Sequence, residues 1–259
     1  YAAAAAAGLA DEAAVLDHLV ARAAARRPPA PEIEGARVGL VYNLRRVQAQ
    51  VDGQGDDDAE FDAQSTIDAI AAAIEAQGHV VVPIEADQRF LRRMGVARVD
   101  LVFNLAEGLR VRGREGLVTA VLDLLDVPHT GSDAVALGVT LDKALAKRVV
   151  RDAGWATAPV AVVDQPDFDW PAGLELPAVV KPVAEGSSKG VSASRVVRTQ
   201  PQARETVREL LARYRQPVLI EGFLPGREFT VGLLAGPTGP EALPPVEIIF
   251  EGDEPHPVY

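Results

Sequence analysis

Residues Val179-Val180-Lys181-Pro182-Val183-Ala184-Glu185-Gly186-Ser187-Ser188-Lys189-Gly190-Val191 decide how this 259-residue chain reads. An apolar run delivers a lysine, a Gly-Ser loop follows, and a second lysine precedes the next apolar run. Gly186 and Gly190 permit positive φ and close approach of a ligand to the backbone. Ser187 and Ser188 add hydroxyl donors to the N–H groups of such a loop, a concave array that suits phosphate oxygens. Lys181 supplies a point charge beneath it. On loop composition alone, a plain β-hairpin with a Gly-Ser turn is the alternative. The chain has no Walker A loop and no Rossmann glycine fingerprint after its first strand. A phosphate loop here would lie between antiparallel strands.

Upstream, residues 37–42 read as a buried strand. Residues 47–58, with Gly53, Gly55 and three consecutive aspartates, read as a loop. Residues 65–77 place Ile67, Ile70 and Ile74 at helical spacing, with Gly78 as a C-cap. Strands at 79–84 and 99–104, a helical turn at 89–94 and a helix at 116–125 complete a right-handed parallel α/β layer. Downstream, a helix is expected over 142–154, carrying Lys143, Lys147, Arg148 and Arg151. Strands follow at 159–163, 177–183, 191–197 and 218–221, with a helix at 202–215. Two further strands are expected at 229–235 and 246–250. This pattern predicts a small α+β domain with an antiparallel sheet. Residues 11–27 read as an amphipathic helix, stopped by Pro28, Pro29 and Pro31.

Composition narrows the chemistry. The net charge of −11 argues against a polyanion-binding surface spread over the whole protein, so nucleic acid is not an expected partner. With no cysteine, disulfides, thiolate-bound metals and a catalytic thiol are excluded, and four histidines make a multi-histidine metal site an unpromising reading. No apolar run reaches the roughly 18 residues of a membrane helix. A soluble, cytoplasmic protein is the expectation.

Several motifs in order carry a family resemblance. They are Lys181-Pro182 with Glu185-Gly186-Ser187-Ser188; Asn104-Leu105-Ala106-Glu107-Gly108, then Arg114-Glu115-Gly116; and Val127-Pro128-His129-Thr130-Gly131-Ser132. Thr140-Leu141-Asp142-Lys143 and Glu221-Gly222-Phe223-Leu224, then Gly226-Arg227-Glu228-Phe229-Thr230, complete the set. Together they resemble D-alanine–D-alanine ligases of the ATP-grasp fold over about residues 37–250. The resemblance implies a pre-ATP-grasp, Rossmann-like α/β domain at 36–131 and an ATP-grasp small domain at 132–220. It also implies the start of the ATP-grasp C-terminal half at 221–259, after an N-terminal helix and linker at 1–34.

The resemblance also implies roles. Lys143 and Lys181 would bind ATP phosphates, and Ser187 and Ser188 would close over them, making Lys181, Ser187 and Ser188 the catalytic set. Glu221 and the backbone of Leu224 would bind the adenine edge, and Glu228 the ribose hydroxyls. Bland readings stand beside these: a solvated helix lysine for Lys143, a strand-end charge for Glu221, and a surface pair with Arg227 for Glu228. The implied reaction is ATP-dependent, Mg²⁺-assisted ligation of a carboxylate to an amine through an acylphosphate. Small amino-acid or peptide substrates are expected, with a homodimer or an adjacent ATP-grasp unit as the assembly alternatives.

The sequence departs from the family at the substrate side. Glu60 stands where an acid would hold the first amino group, with Asp58 and Asp62 as alternatives. Glu107 replaces the family's histidine, and Asn104, Glu107, Arg114 and Glu115 line up where a substrate would be read. The resemblance places the metal ligands in strands beyond Tyr259, so none is assigned, Glu247 and Glu251 preceding that region. The chain thus reads as C-terminally incomplete, with residues 1–27 as the end of an upstream unit or a displaced terminal helix. A non-catalytic nucleotide-binding or scaffold module is the alternative from another class. A ligase acting on a peptide or protein side chain is a third reading, which the acidic loop at 52–62 permits.

Overall fold

A computed structural model describes residues 35–46, 60–109, 112–186, 189, 195–236 and 239–249. The expected helix at 11–27, the loop at 47–58 and the residues Ser187, Ser188 and Glu251 lie outside the described residues. The chain divides into two compact units, one of residues 32–145 with 183–189, the other containing 146–182 and 190–259.

The first unit is built on three parallel strands, β1 (Arg37–Tyr42), β2 (Val80–Glu85) and β3 (Leu101–Asn104), in the order β2-β1-β3. β1 is central. Val38 to Val41 are buried without alternation, as expected of a strand covered on both faces. Gly39 is needed there, because a Cβ would stand 3.1 Å from Val102. Helices α1 (Gln64–Glu75), α2 (Phe90–Ala97) and α3 (Arg114–Leu124) follow the three strands in turn. Val41, Ile84, Phe90, Met94, Val102, Val118 and Leu122 make the core. Each such side chain contributes roughly 1.5–3 kcal/mol by leaving water.

One element in this unit was not expected. Helix α4 (Ala134–Leu141) starts at Asp133, whose carboxylate accepts from the Ala136 N–H. Asp142 then leaves helical conformation at φ −82°, ψ 97°. Its carboxylate accepts from the N–H groups of Ala144 and Leu145, which opens α5 (Lys143–Asp152). One acid therefore stops α4 and caps α5.

The second unit is a four-stranded antiparallel sheet of β4 (Val160–Val163), β5 (Ala178–Pro182), β6 (Val196–Val197) and β7 (Val218–Gly222), in the order β4-β7-β5-β6. Helix α6 (Gln200–Tyr214) buries Ala203, Val207 and Leu210 against Val180, Val197, Val218 and Ile220. Thr199 caps α6 by accepting from Gln202, which starts the helix ahead of the expected residue 202. The strand expected at 229–235 is two strands, β8 (Glu228–Thr230) and β9 (Leu233–Gly236). They take different partners: β9 pairs with β10 (Gly239–Ala242), which was not expected, and β8 with β11 (Val246–Ile248). The break falls at Gly232, whose carbonyl accepts from Leu243. Among the described residues, no helix is long and apolar enough to cross a membrane.

Candidate functional site

In the antiparallel unit, β5 and β7 place Val179 opposite Glu221 and Lys181 opposite Leu219. Lys181 and Glu221 are thus diagonal neighbours on one face of the sheet, within reach of long side chains. Lys181 Nζ lies 2.5 Å from Glu221 Oε2. Lys147 on α5 pairs with the other carboxylate oxygen of Glu221 and donates to Thr157 Oγ1 at 2.7 Å. Burial pushes the Glu221 carboxyl up, but Lys181 and Lys147 outweigh it and hold the group below its ordinary range. Two ammonium groups face one carboxylate, so this triad carries an excess positive charge in a mostly buried place. Such a balance attracts an anion.

The remaining expected adenosine contacts follow in sequence. Leu224 is 63% exposed, just past β7. Glu228 opens β8 and is exposed. Its neighbour Arg227 forms a bidentate pair with Glu247, at 2.6 and 2.7 Å, and lies over the Phe229 ring.

In the parallel-sheet unit, a cleft of about 330 Å³ opens beside the C-terminal end of β3. Glu60, Asn104, Glu107 and Glu115 all line it, together with Asp62 and Ser132. The four residues expected at the substrate side are therefore brought together. Burial first, then the carboxylates of Glu115 and Glu60, push Glu107 up to about 7, against the pull of Arg114. Glu115 is also raised, mainly by burial and by Glu60, with Arg114 and Lys143 working against it. Asp62 is raised by burial, opposed by Arg45. A cation entering the cleft would relieve this repulsion.

Glu60 differs from the others. Its side chain is 2% exposed and is held by Arg114 through two hydrogen bonds of 2.8 and 2.9 Å. Lys143 belongs to this unit and not to the triad around Glu221. Its Nζ donates to the carbonyl of Glu185, and its N–H to the carbonyl of Val183.

Two contributors escaped the sequence reading. In the sequence, Lys147 reads only as one of four basic residues on a helix. Its position four residues after Lys143, on one helical face, is the signal that was available. Asn43 is buried; it donates to the carbonyl of Ala86 and accepts from the Gly108 N–H. It ties the ends of β1 and β2 to the residue after Glu107. Gly108 has φ +75°, and a Cβ there would stand 2.2 Å from the Arg114 carbonyl. Nothing local in the sequence marks Asn43, because its partners lie 43 and 65 residues away. Among the described residues, no group of three or more His, Asp or Glu side chains is arranged to hold a metal ion.

Comparison with known proteins agrees with this architecture. Residues 149–254 match the family described as "D-ala D-ala ligase C-terminus". The chain is 37% identical over 186 residues to the D-alanine–D-alanine ligase of Aquifex aeolicus, covering 70% of this chain and 59% of that protein. It is 34% identical over 184 residues to the corresponding ligase of Sinorhizobium fredii, covering 71% and 58%. The chain thus spans somewhat more than half the length of these curated relatives. Among solved structures, the D-alanine–D-alanine ligase of Bacillus anthracis complexed with ATP superposes with a TM-score of 0.63 at 20% identity, covering 84% of this chain and 67% of that one. D-alanyl-alanine synthetase A of Vibrio cholerae gives 0.61 at 15% identity, covering 85% and 70%. The ordered motifs and these similarities relate the chain to the D-alanine–D-alanine ligases, whose C-terminal family model it matches over residues 149–254 and whose ATP-grasp fold it shares.

Proposed function

We propose that this protein is an ATP-dependent ligase that joins a carboxylate to an amine, as its D-alanine–D-alanine ligase relatives are named for doing. One observation carries the reading: the Lys147–Glu221–Lys181 triad, with its excess positive charge and a carboxylate kept ionised. It fits a nucleotide, whose phosphates need cations and whose adenine amino group needs an acceptor. Lys181 takes phosphate oxygens. Glu221 and the backbone of Leu224 meet the adenine edge, and Glu228 the ribose. Lys143, Ser187 and Ser188 belong to the phosphate side of this reading on the resemblance alone.

The acidic cleft supplies the other half. Glu107 and Glu115, with Asn104 beside them, receive the ammonium group of an amino-acid or peptide substrate, and Glu60 lies at their back. In the reaction, the γ-phosphoryl group passes to a substrate carboxylate oxygen as its bond to ADP breaks. The amine nitrogen then attacks the carbonyl carbon, phosphate leaves, and the nitrogen gives up a proton. The chain's own part is to orient both substrates and hold water away from the acylphosphate. Mg²⁺ is expected with the nucleotide by resemblance. A cytoplasmic location, and a second copy or an adjacent ATP-grasp unit as assembly partner, belong to the same reading. So does the division of the chain into regions 1–34, 36–131, 132–220 and 221–259.

The test is ADP release from ATP and Mg²⁺ against a panel of paired D- and L-amino acids. Release that depends on a particular pair is the expected result and identifies the substrates. ATP binding without release from any pair would overturn the ligase reading in favour of a non-catalytic nucleotide-binding module.

A further inference from the structure

The parallel-sheet unit contains a buried charge cluster that the proposed reaction does not itself require. Arg114 Nη2 donates to both carboxylate oxygens of Glu60, and Nη1 donates to the carbonyl of Ala184 at 2.8 Å. Glu185 Oε2 stands 3.7 Å from the same guanidinium. Lys189 Nζ lies 2.8 Å from Glu185 and 3.6 Å from Glu60. Glu60 Oε1 also accepts the backbone N–H of Gly186. Two cations therefore balance two carboxylates, all four side chains being largely out of water. The fit is close: a Cβ on residue 186 would stand 2.7 Å from Glu60 Oε1. With a guanidinium on both of its oxygens, a backbone N–H on one of them and an ammonium nearby, the Glu60 carboxylate has little charge left to offer a substrate ammonium.

We propose that Arg114 is a positioning residue, which neutralises Glu60 and uses it to pin the turn at residues 184–186, the segment that follows Lys181 and β5. Glu60 is thereby withdrawn from substrate recognition, and the ammonium falls to Glu107 and Glu115. The proposal rests on the ligase reading for its functional consequence, but its geometry does not. An arginine is needed because only the guanidinium fork reaches a carboxylate and a carbonyl at once; a lysine there keeps the charge and loses the fork.

The experiment measures amide exchange at Gly186 by NMR in the full chain, with Arg114→Lys, Arg114→Gln and Glu60→Gln. In the native protein this amide exchanges slowly. Arg114→Gln and Glu60→Gln speed it about tenfold or more, the loss of a charge-assisted hydrogen bond, while the amides of β7 are unaffected. Arg114→Lys falls between. Calorimetry adds a readout that general destabilisation does not move. Arg114→Lys weakens ATP binding about tenfold, the scale of one such bond, and leaves adenosine binding unchanged. In the ADP-release assay, Glu60→Gln lowers kcat at a constant KM for the amine, whereas Glu107→Gln raises that KM. Unchanged exchange at Gly186 in both Arg114→Gln and Glu60→Gln would overturn the proposal. So would a raised amine KM in Glu60→Gln with exchange unaltered, which would make Glu60 a substrate ligand. If the native protein neither binds ATP nor releases ADP, the ligase reading fails, and Gly186 exchange still decides whether the pin exists.

Discussion

Glu221 and Glu107 are the same residue type in opposite surroundings. Glu221 sits on a sheet face between two ammonium groups, which hold it ionised in spite of burial. Glu107 sits in a cleft among other carboxylates, and burial and repulsion lift it to about 7. One surrounding is short of negative charge and the other has too much. The contrast bears on the proposed function, under which the protein would bind a polyanion and an ammonium ion at separate places. Neutral burial would have served stability equally well in both units. On the ligase reading proposed above, the opposite imbalances match what each place would meet.

The contrast can be broken from either side. The largest effect is expected from Glu221→Gln, which leaves two partly buried ammonium groups facing each other. Removing one partner of a buried ion pair costs about 3–5 kcal/mol. Because the folded pKa of Glu221 is depressed, its contribution is present above its ordinary range and is lost as pH falls through the folded value. The stability difference between native protein and variant, measured by denaturant unfolding, should therefore shrink toward acid pH.

Glu107→Gln is expected to do the reverse. The folded pKa of Glu107 is raised from 4.5 to about 7. Its protonated form is the one compatible with the cleft, so native stability is fully present below about 4.5 and declines as pH rises through about 7. Glutamine removes that decline. The gain at pH 8 should be roughly 1–2 kcal/mol, discounted for partial exposure. A native protein whose stability is flat between pH 5 and 8 would contradict the electrostatic reading of the cleft.

The parts legible in the sequence were those encoded locally. β1 appears over the residues expected, because a central parallel strand is a continuous apolar run. The strands that carry Lys181 and Glu221 also appear close to where they were expected, each being a short apolar run with its own flanking signals. What escaped detection depends on long-range geometry or on one residue doing two tasks. Helix α4 was missed because Asp142 ends one helix while capping the next, so the stretch reads as a single late start. The split of β8 from β9 depends on Leu243 reaching back to Gly232. Lys147 was visible as a charge but not as a partner of Glu221, 74 residues away in the chain. Glu60 is the sharpest case. The family resemblance suggests it, or Asp58 or Asp62, as a substrate ligand, and only the position of Arg114, 54 residues on, reveals the Glu60 carboxylate as already engaged.

The most direct test of the central claim is calorimetric titration of ATP into the native protein and Lys181→Ala. If the triad is the nucleotide site, the native protein binds ATP, and the variant binds it roughly a hundredfold more weakly, the worth of one or two charge-assisted contacts to phosphate. Adenosine affinity should be nearly unchanged, since Glu221 and the Leu224 backbone remain. Equal ATP affinity in both proteins would show that Lys181 meets no phosphate and would contradict the account.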